Sequence, residues 1–265
     1  MQPYLSERAM RKSVKMNSTI LGSIVFTSAV VSGVALAQEW ADVSLTVVLA
    51  DDEVANPNKP AQEEHFVVHP ENHGIANFVL TIDTKRTTLD TKDFHPKLRE
   101  VPKKEATLNA ANGQFVPHIF SIRAGQTIRV RGQQNTDPKF SFFANQANRP
   151  AAAPGQALDV QTKFAEKAPC RIDCSIDPRM SAFVLVLDHP YTGISDGDGK
   201  IKIEKLPAGI PIYFKIWHEY QNRSIEDVVF NGNREKWMRG STQFTFREGL
   251  NDLGTLKVGL ASFKK

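Results

Sequence analysis

The sequence predicts an all-β protein. Three observations carry that expectation. Apolar runs of strand length recur along the chain, several of them alternate apolar with polar residues, and turns bearing Gly or Pro lie between them. No long amphipathic helix interrupts the pattern. Short strands at this spacing point to sandwiches or barrels.

The predicted strands fall at 43–49, 76–82, 115–122, 127–132, 158–164, 182–187, 200–204, 212–217 and 242–247. Ile201 and Ile203 alternate with Lys202 and Glu204, and Phe244 and Phe246 with Thr245 and Arg247, as on half-buried strands. Turns are expected at Gly125, Pro138, Gly199 and Gly209. Residues 51–64, 83–104 and 144–156 read as loops.

With 265 residues, 41% hydrophobic and 23% charged, the chain can bury a sizeable core and is not of disordered composition. Its formal charge is +4, but residues 1–37 hold four basic residues and one acidic one, so the remainder carries +1. Near neutrality gives no electrostatic case for nucleic acid or an anionic membrane.

Residues 1–37 read as a secretory signal. Arg11, Lys12 and Lys15 form a basic start, with Met10 a candidate first residue. Residues 20–31 are a short apolar stretch, and Ala35 and Ala37 frame a cleavage site before Gln38. The apolar run is short for a span, although an uncleaved anchor is the alternative. The mature chain is expected to be periplasmic or secreted, without a transmembrane span. Export would place Cys170 and Cys174 in an oxidising compartment. On an extended strand their Cα atoms stand roughly 13 Å apart, too far for a disulfide unless the chain turns tightly.

Cys174 and Met180 share one short loop, Cys174-Ser-Ile-Asp-Pro-Arg-Met180. Thiolate and thioether on one loop suit a blue-copper site, which also needs two imidazoles. Cys174 as a buried small hydrophobe and Met180 as core filler are the bland alternatives. His65, His69 and His73 recur every fourth residue, but Pro70 and Gly74 argue against a helix. As a strand or loop they read as surface histidines rather than a metal site. His118 reads as a buried, hydrogen-bonded imidazole or a replacement ligand, and His189 and His218 as packing residues at strand ends. Asp196, Asp198 and Lys200 resemble part of a calcium loop but lack its distal glutamate. Asp198-Gly199 reads instead as a hairpin turn.

Ten short motifs, in order, resemble the cupredoxin-like exported proteins of planctomycete-type bacteria often labelled methylamine-utilisation-like. They are Gly74-Ile-Ala-Asn-Phe-Val, Phe115-Val-Pro-His118, Arg123-Ala-Gly-Gln126, Asn135-Thr-Asp-Pro138, the Cys174 loop, Leu187-Asp-His-Pro-Tyr191, Asp198-Gly-Lys, Leu206-Pro-Ala-Gly209, Trp217-His-Glu219 and Asn251-Asp-Leu-Gly254. The resemblance implies an antiparallel Greek-key cupredoxin sandwich over residues 38–188. The Leu206 segment resembles carboxypeptidase-regulatory or transthyretin-like modules and implies a small β module over 189–265, to which 43–49 could also belong with the cupredoxin part inserted.

The family's loop reads Cys-x-x-His-Pro-Trp-Met. Here Asp177 stands at the histidine and Arg179 at the tryptophan, while the family's earlier histidine falls at Ser141. Cys174 and Met180 remain, with Asp177 and His118 as candidate substitutes in a degenerate site. The expectation is an exported module without a bound cofactor that binds an envelope protein or ligand and is not an enzyme. The alternative is a periplasmic electron carrier that holds copper through Cys174, Met180 and substitute ligands.

Overall fold

A computed structural model describes residues 38–50, 66–132, 136–146 and 156–263, which belong to one compact unit. The signal-like segment, the 51–64 loop, His65 and most of the 144–156 connection lie outside the described residues. All extended elements are strands, and the only helical turns among the described residues are short 3-10 turns. The all-β expectation holds.

The strands are β1 (Trp40–Leu49), β2 (Val79–Ile82), β3 (Ala106–Ala111), β4 (Gln114–Val116), β5 (Ile119–Arg123), β6 (Thr127–Gly132), β7 (Pro138–Phe140), β8 (Leu158–Gln161) and β9 (Cys170–Cys174). They continue with β10 (Ser181–Leu187), β11 (Thr192–Ile194), β12 (Lys200–Pro207), β13 (Pro211–Trp217), β14 (Asp227–Phe230), β15 (Asn233–Lys236), β16 (Ser241–Thr245) and β17 (Gly249–Val258).

They form two sandwiches. In the first, a sheet ordered β4-β3-β6-β8 faces one ordered β5-β10-β9-β7. Leu108, Ile128, Val130 and Val160 from one meet Phe120, Phe140, Ile172 and Val184 from the other in a single core. In the second, a sheet ordered β12-β1-β17-β14-β15 faces one ordered β11-β2-β13-β16. Their core joins Val43, Leu45, Val47 and Leu256 to Leu80, Ile212, Phe214 and Ile216.

These pairings decide the organisation of the chain. β1 pairs antiparallel with β12 and parallel with β17, and β2 pairs with β11 and β13. The described residues of 40–98 therefore share a core with 191–263, and the described residues of 106–187 form a sandwich inserted between them. A cut at residue 188 separates β1 and β2 from the strands they pair with. The cause is visible in β1, whose Ala41, Val43, Leu45, Val47 and Leu49 are buried against the facing sheet while its backbone pairs with β12 on one side and β17 on the other.

The ladders are not purely antiparallel. β3 with β6 and β5 with β10 run parallel, because the chain changes sheets between them. Pro117 marks one such change. It has no N–H to donate to a ladder, and the predicted run 115–122 divides there into β4 and β5, on different sheets. Asn77, in the left-handed region at φ 62, likewise delays β2 to Val79.

A third, small cluster of Val79, Ile119 and Leu185, with Phe183 and Trp217 against it, fills the junction of the two sandwiches. The Phe183 and Trp217 rings meet edge-on at 5.2 Å.

The turn at Asp196–Gly199 is present but makes no hairpin, since β11 and β12 belong to different sheets. Instead it crosses the backbone of two other segments. Gly199 has φ +77, and a Cβ there would stand 2.1 Å from the Val47 carbonyl oxygen. A Cβ on Gly74 would stand 2.2 Å from the Asp198 carbonyl. Gly199→Ala is expected to cost about 3 kcal/mol or more in urea-unfolding free energy. Gly209→Ala, at the same φ of +77 with nothing within 4 Å, should cost only about 1 kcal/mol. Equal losses at the two positions would show that φ, and not the crossing, sets the requirement.

Candidate functional site

The Cys174–Met180 loop closes on itself. The Cys174 N–H donates to the Met180 carbonyl at 3.1 Å, and the Met180 N–H to the Asp177 carbonyl at 3.0 Å. The loop is latched to the preceding turn, where the Ser175 N–H donates to the Asp137 carbonyl at 3.0 Å and its hydroxyl reaches the Asp137 carboxylate. Lys139 and Ser175 hold that carboxyl below its ordinary value.

This places each predicted residue. Cys174 and Met180 are both buried in the core of the inserted sandwich. β9 alternates inward at Cys170, Ile172 and Cys174, so both thiols lie on one face at opposite ends of an extended strand. Both are free, as that spacing requires. Cys170 is pushed up to about 12, by burial first and Glu166 second, and stays a thiol.

Asp177 does not face the sulfur atoms as a spare ligand. It takes the Arg179 Nη2–H at 2.9 Å and the Nε–H at 3.1 Å, and those bonds hold it below the usual carboxylate range. Ser141 is exposed, with its N–H donating to the Arg171 carbonyl at 2.8 Å.

His118, just before β5, is engaged at both ring nitrogens. Nδ1 donates to the Ser181 carbonyl at 3.0 Å, and Nε2 bonds the Glu219 carboxylate. Both partners are acceptors by nature, so ring and carboxyl together must hold two protons. This pair is largely buried and joins the inserted sandwich to the strand-end segment after β13. Sequence reasoning left Glu219 without a role, although it closes the Trp217-His-Glu219 motif.

His118 is the only histidine between residues 106 and 187. A type 1 copper centre needs two imidazoles beside its thiolate. The donor set therefore does not fit: one imidazole is committed to Glu219, the carboxylate to Arg179, and no second imidazole is supplied. Among the described residues, no group of three or more His, Cys, Asp or Glu side chains is placed to hold a metal ion.

The other candidates also resolve as structure. His69 Nδ1 accepts from the N–H groups of Glu71 and Asn72, and its Nε2 lies 3.6 Å from Asp198. Asp196 Oδ1 accepts the N–H groups of Asp198 and Lys200 and so closes its own turn. His218 is fully buried, its Nδ1 accepting from the Tyr220 N–H and its Nε2 donating to the Ala76 carbonyl at 3.3 Å. His189 accepts the Tyr191 N–H at Nδ1 in the same way. Burial, the leading cause in both, lowers each ring from 6.5 to about 4.

A second polar hub was not legible in the sequence. The Glu166 carboxylate accepts the N–H groups of Phe143, Ala144 and Asn145, while Asn145 accepts those of Lys163 and Phe164. It fixes two surface segments and leaves Phe143 73% and Phe164 60% exposed.

These features define the class of the molecule: an all-β protein of two packed sandwiches, one inserted in the other. Comparison with known proteins adds the following. No protein-family model matches the chain, and no curated protein matches its sequence. Solved cupredoxins are structural neighbours. Amicyanin from Paracoccus versutus is 15% identical over 41% of this chain and 97% of its own, with a TM-score of 0.26. The purple cupredoxin from Nitrosopumilus maritimus is 16% identical over 31% and 99%, also at 0.26. Pseudoazurin from Methylobacterium extorquens is 17% identical over 32% and 76%, again at 0.26. One amicyanin neighbour was solved in a reduced Cu(I) form. With likeness of this size, the architecture here stands on the strand pairings themselves. Among the described residues, no helix is long and apolar enough to cross a membrane.

His189 and His218 set a pH dependence of stability. Their folded values lie below the ordinary 6.5, so the unfolded chain binds protons that the folded one refuses. Their contribution is complete above pH 6.5 and is lost as pH falls toward 4, on the order of 2–3 kcal/mol for each ring. Urea midpoints measured between pH 7.5 and pH 4 (roughly the window that linkage sets) should fall steadily. A flat profile would mean that these rings are not held neutral by burial.

Proposed function

We propose that this protein is an exported cupredoxin-like module that acts by binding a partner or ligand and does not carry electrons through copper. The observation that supports it best is the commitment of the donors. His118 is engaged by Ser181 and Glu219, and Asp177 by Arg179. Cys174 and Met180 are left as apolar packing within a sandwich core.

An exported location is favoured by the basic, apolar and small-residue pattern over residues 10–37. The periplasm or cell exterior follows as the proposed compartment. An envelope protein or a small ligand follows as the kind of partner, since near-neutral charge does not favour nucleic acid. Catalysis is not part of the proposal, because the hydroxyl described above beside a carboxylate, Ser175 against Asp137, serves to latch the loop.

The reading is tested by adding one equivalent of Cu(II) to the purified protein and recording visible absorbance and electron paramagnetic resonance. The expected result is no thiolate-to-copper band, with the same spectrum for Cys174→Ser. A stoichiometric blue or green species that disappears in Cys174→Ser would overturn the proposal and make electron transfer the leading function. A companion measurement concerns the clamp. Glu219→Leu should lower stability by about 3 kcal/mol, because it leaves the buried His118 Nε2 without a partner. A change within about 0.5 kcal/mol would mean that the pair does not hold the sandwiches together.

A further inference from the structure

The chain contains two Asn-Gly pairs, Asn112-Gly113 and Asn231-Gly232. Each is the whole loop of a two-residue hairpin. Ala111 pairs with Gln114 around the first, between β3 and β4, and Phe230 with Asn233 around the second, between β14 and β15. All four loop residues lie in the left-handed region, Asn112 at φ 54 and Gly113 at 74, Asn231 at 49 and Gly232 at 84. That is the I′ turn which Asn-Gly favours. All four are exposed, and nothing stands within 4 Å of a Cβ built on either glycine. Sequence, backbone and access to water are thus alike at the two turns.

The asparagine side chains are not alike. The Asn231 amide is held by the main chain of β17, its Nδ2 donating to the Leu253 carbonyl at 2.9 Å and its Oδ1 accepting the Thr255 N–H at 2.9 Å. Gly254 makes room for it, since a Cβ there would stand 2.1 Å from that Oδ1. The Asn112 amide has no hydrogen-bond partner among the described residues.

An asparagine before glycine carries the parts of its own reaction. The glycine nitrogen gives up its proton to water and bonds the asparagine Cγ. The Cγ–Nδ2 bond then breaks and ammonia leaves, which closes a succinimide ring. Water opens the ring at either carbonyl, to aspartate or to isoaspartate. The balance is water taken up and ammonia released, with no oxidant or cofactor. Glycine permits the attack because no side chain shields its nitrogen. To reach that nitrogen, Cγ must swing out of its place in the folded turn. Asn112 gives up only contacts with solvent, whereas Asn231 must break two hydrogen bonds. We propose that Asn112 is a site of spontaneous deamidation in the folded protein, through Gly113, and that β17 protects Asn231 from the same reaction. Isoaspartate adds a carbon to the main chain, so the two-residue loop can no longer hold Ala111 opposite Gln114. The altered turn adjoins β4, which leads into Pro117 and His118. The site shares no residue with the Cys174 loop, so it does not depend on the absence of copper.

The test is to hold the full chain in warm, mildly alkaline buffer, sample it over time and map its peptides by mass spectrometry, with isoaspartate resolved from aspartate by chromatography. In the folded protein Asn112 should convert about twentyfold faster than Asn231, the factor that two ordinary hydrogen bonds contribute. In urea the two should convert at similar rates. No conversion at Asn112, equal or faster conversion at Asn231 in the folded protein, or a difference that persists unchanged in urea would each overturn the proposal. Gly254→Ala pushes against the Asn231 amide and should raise the Asn231 rate alone. An unchanged Asn231 rate in that variant would overturn the protection by β17. Should Gly254→Ala fail to fold, the comparison of the two turns within the native chain decides.

Discussion

β1 is the constraint on which the rest of the structure depends. It lies between β12 and β17 in a five-stranded sheet, and its register with β17 runs from Ala41↔Gly249 to Leu49↔Val258. The first described strand is thus covered by the last. Closing that contact brings together segments some two hundred residues apart, so the second core cannot form until the chain between them has been accommodated. The inserted sandwich solves this by having its own core and its own two sheets. The glycine crossing at Val47, Gly74 and Gly199 fixes how closely β1 can approach the turn before β12.

The junction between the sandwiches then has two parts of different character. One is apolar: Val79, Ile119, Leu185, Phe183 and Trp217 exclude water. The other is polar: His118 and Glu219 meet inside that seal. Misplacing either side would leave a buried polar group without its partner, so the pair ties the position of one sandwich to that of the other. The histidine that the family resemblance offers as a replacement ligand serves here as a link between modules.

Polar groups outside that junction follow the same logic. Asp177 with Arg179, Asp196 with its own turn, and Glu166 with three backbone N–H groups all spend their acceptors locally. His218 does so at both ring nitrogens, accepting the Tyr220 N–H and donating to the Ala76 carbonyl.

Periodicity by itself determined the all-β class, and most of the nine expected strands lie within a few residues of their observed bounds. The four-residue spacing showed that Cys170 and Cys174 could bridge only through a tight turn, and the extended β9 makes none. Strands such as β3, β15 and β17 were not legible. Their residues are mixed or charged, and partner strands rather than local pattern keep them extended. Only the tertiary structure decided that β1 and β2 belong with the last third of the chain, that His118 is held by Glu219, and that Glu166 gathers the N–H groups of 143–145. Each of these is a pairing between segments far apart in sequence. An alternation of residue types fixes which face of a strand is buried but carries no record of which other strand, carboxylate or cavity it will meet.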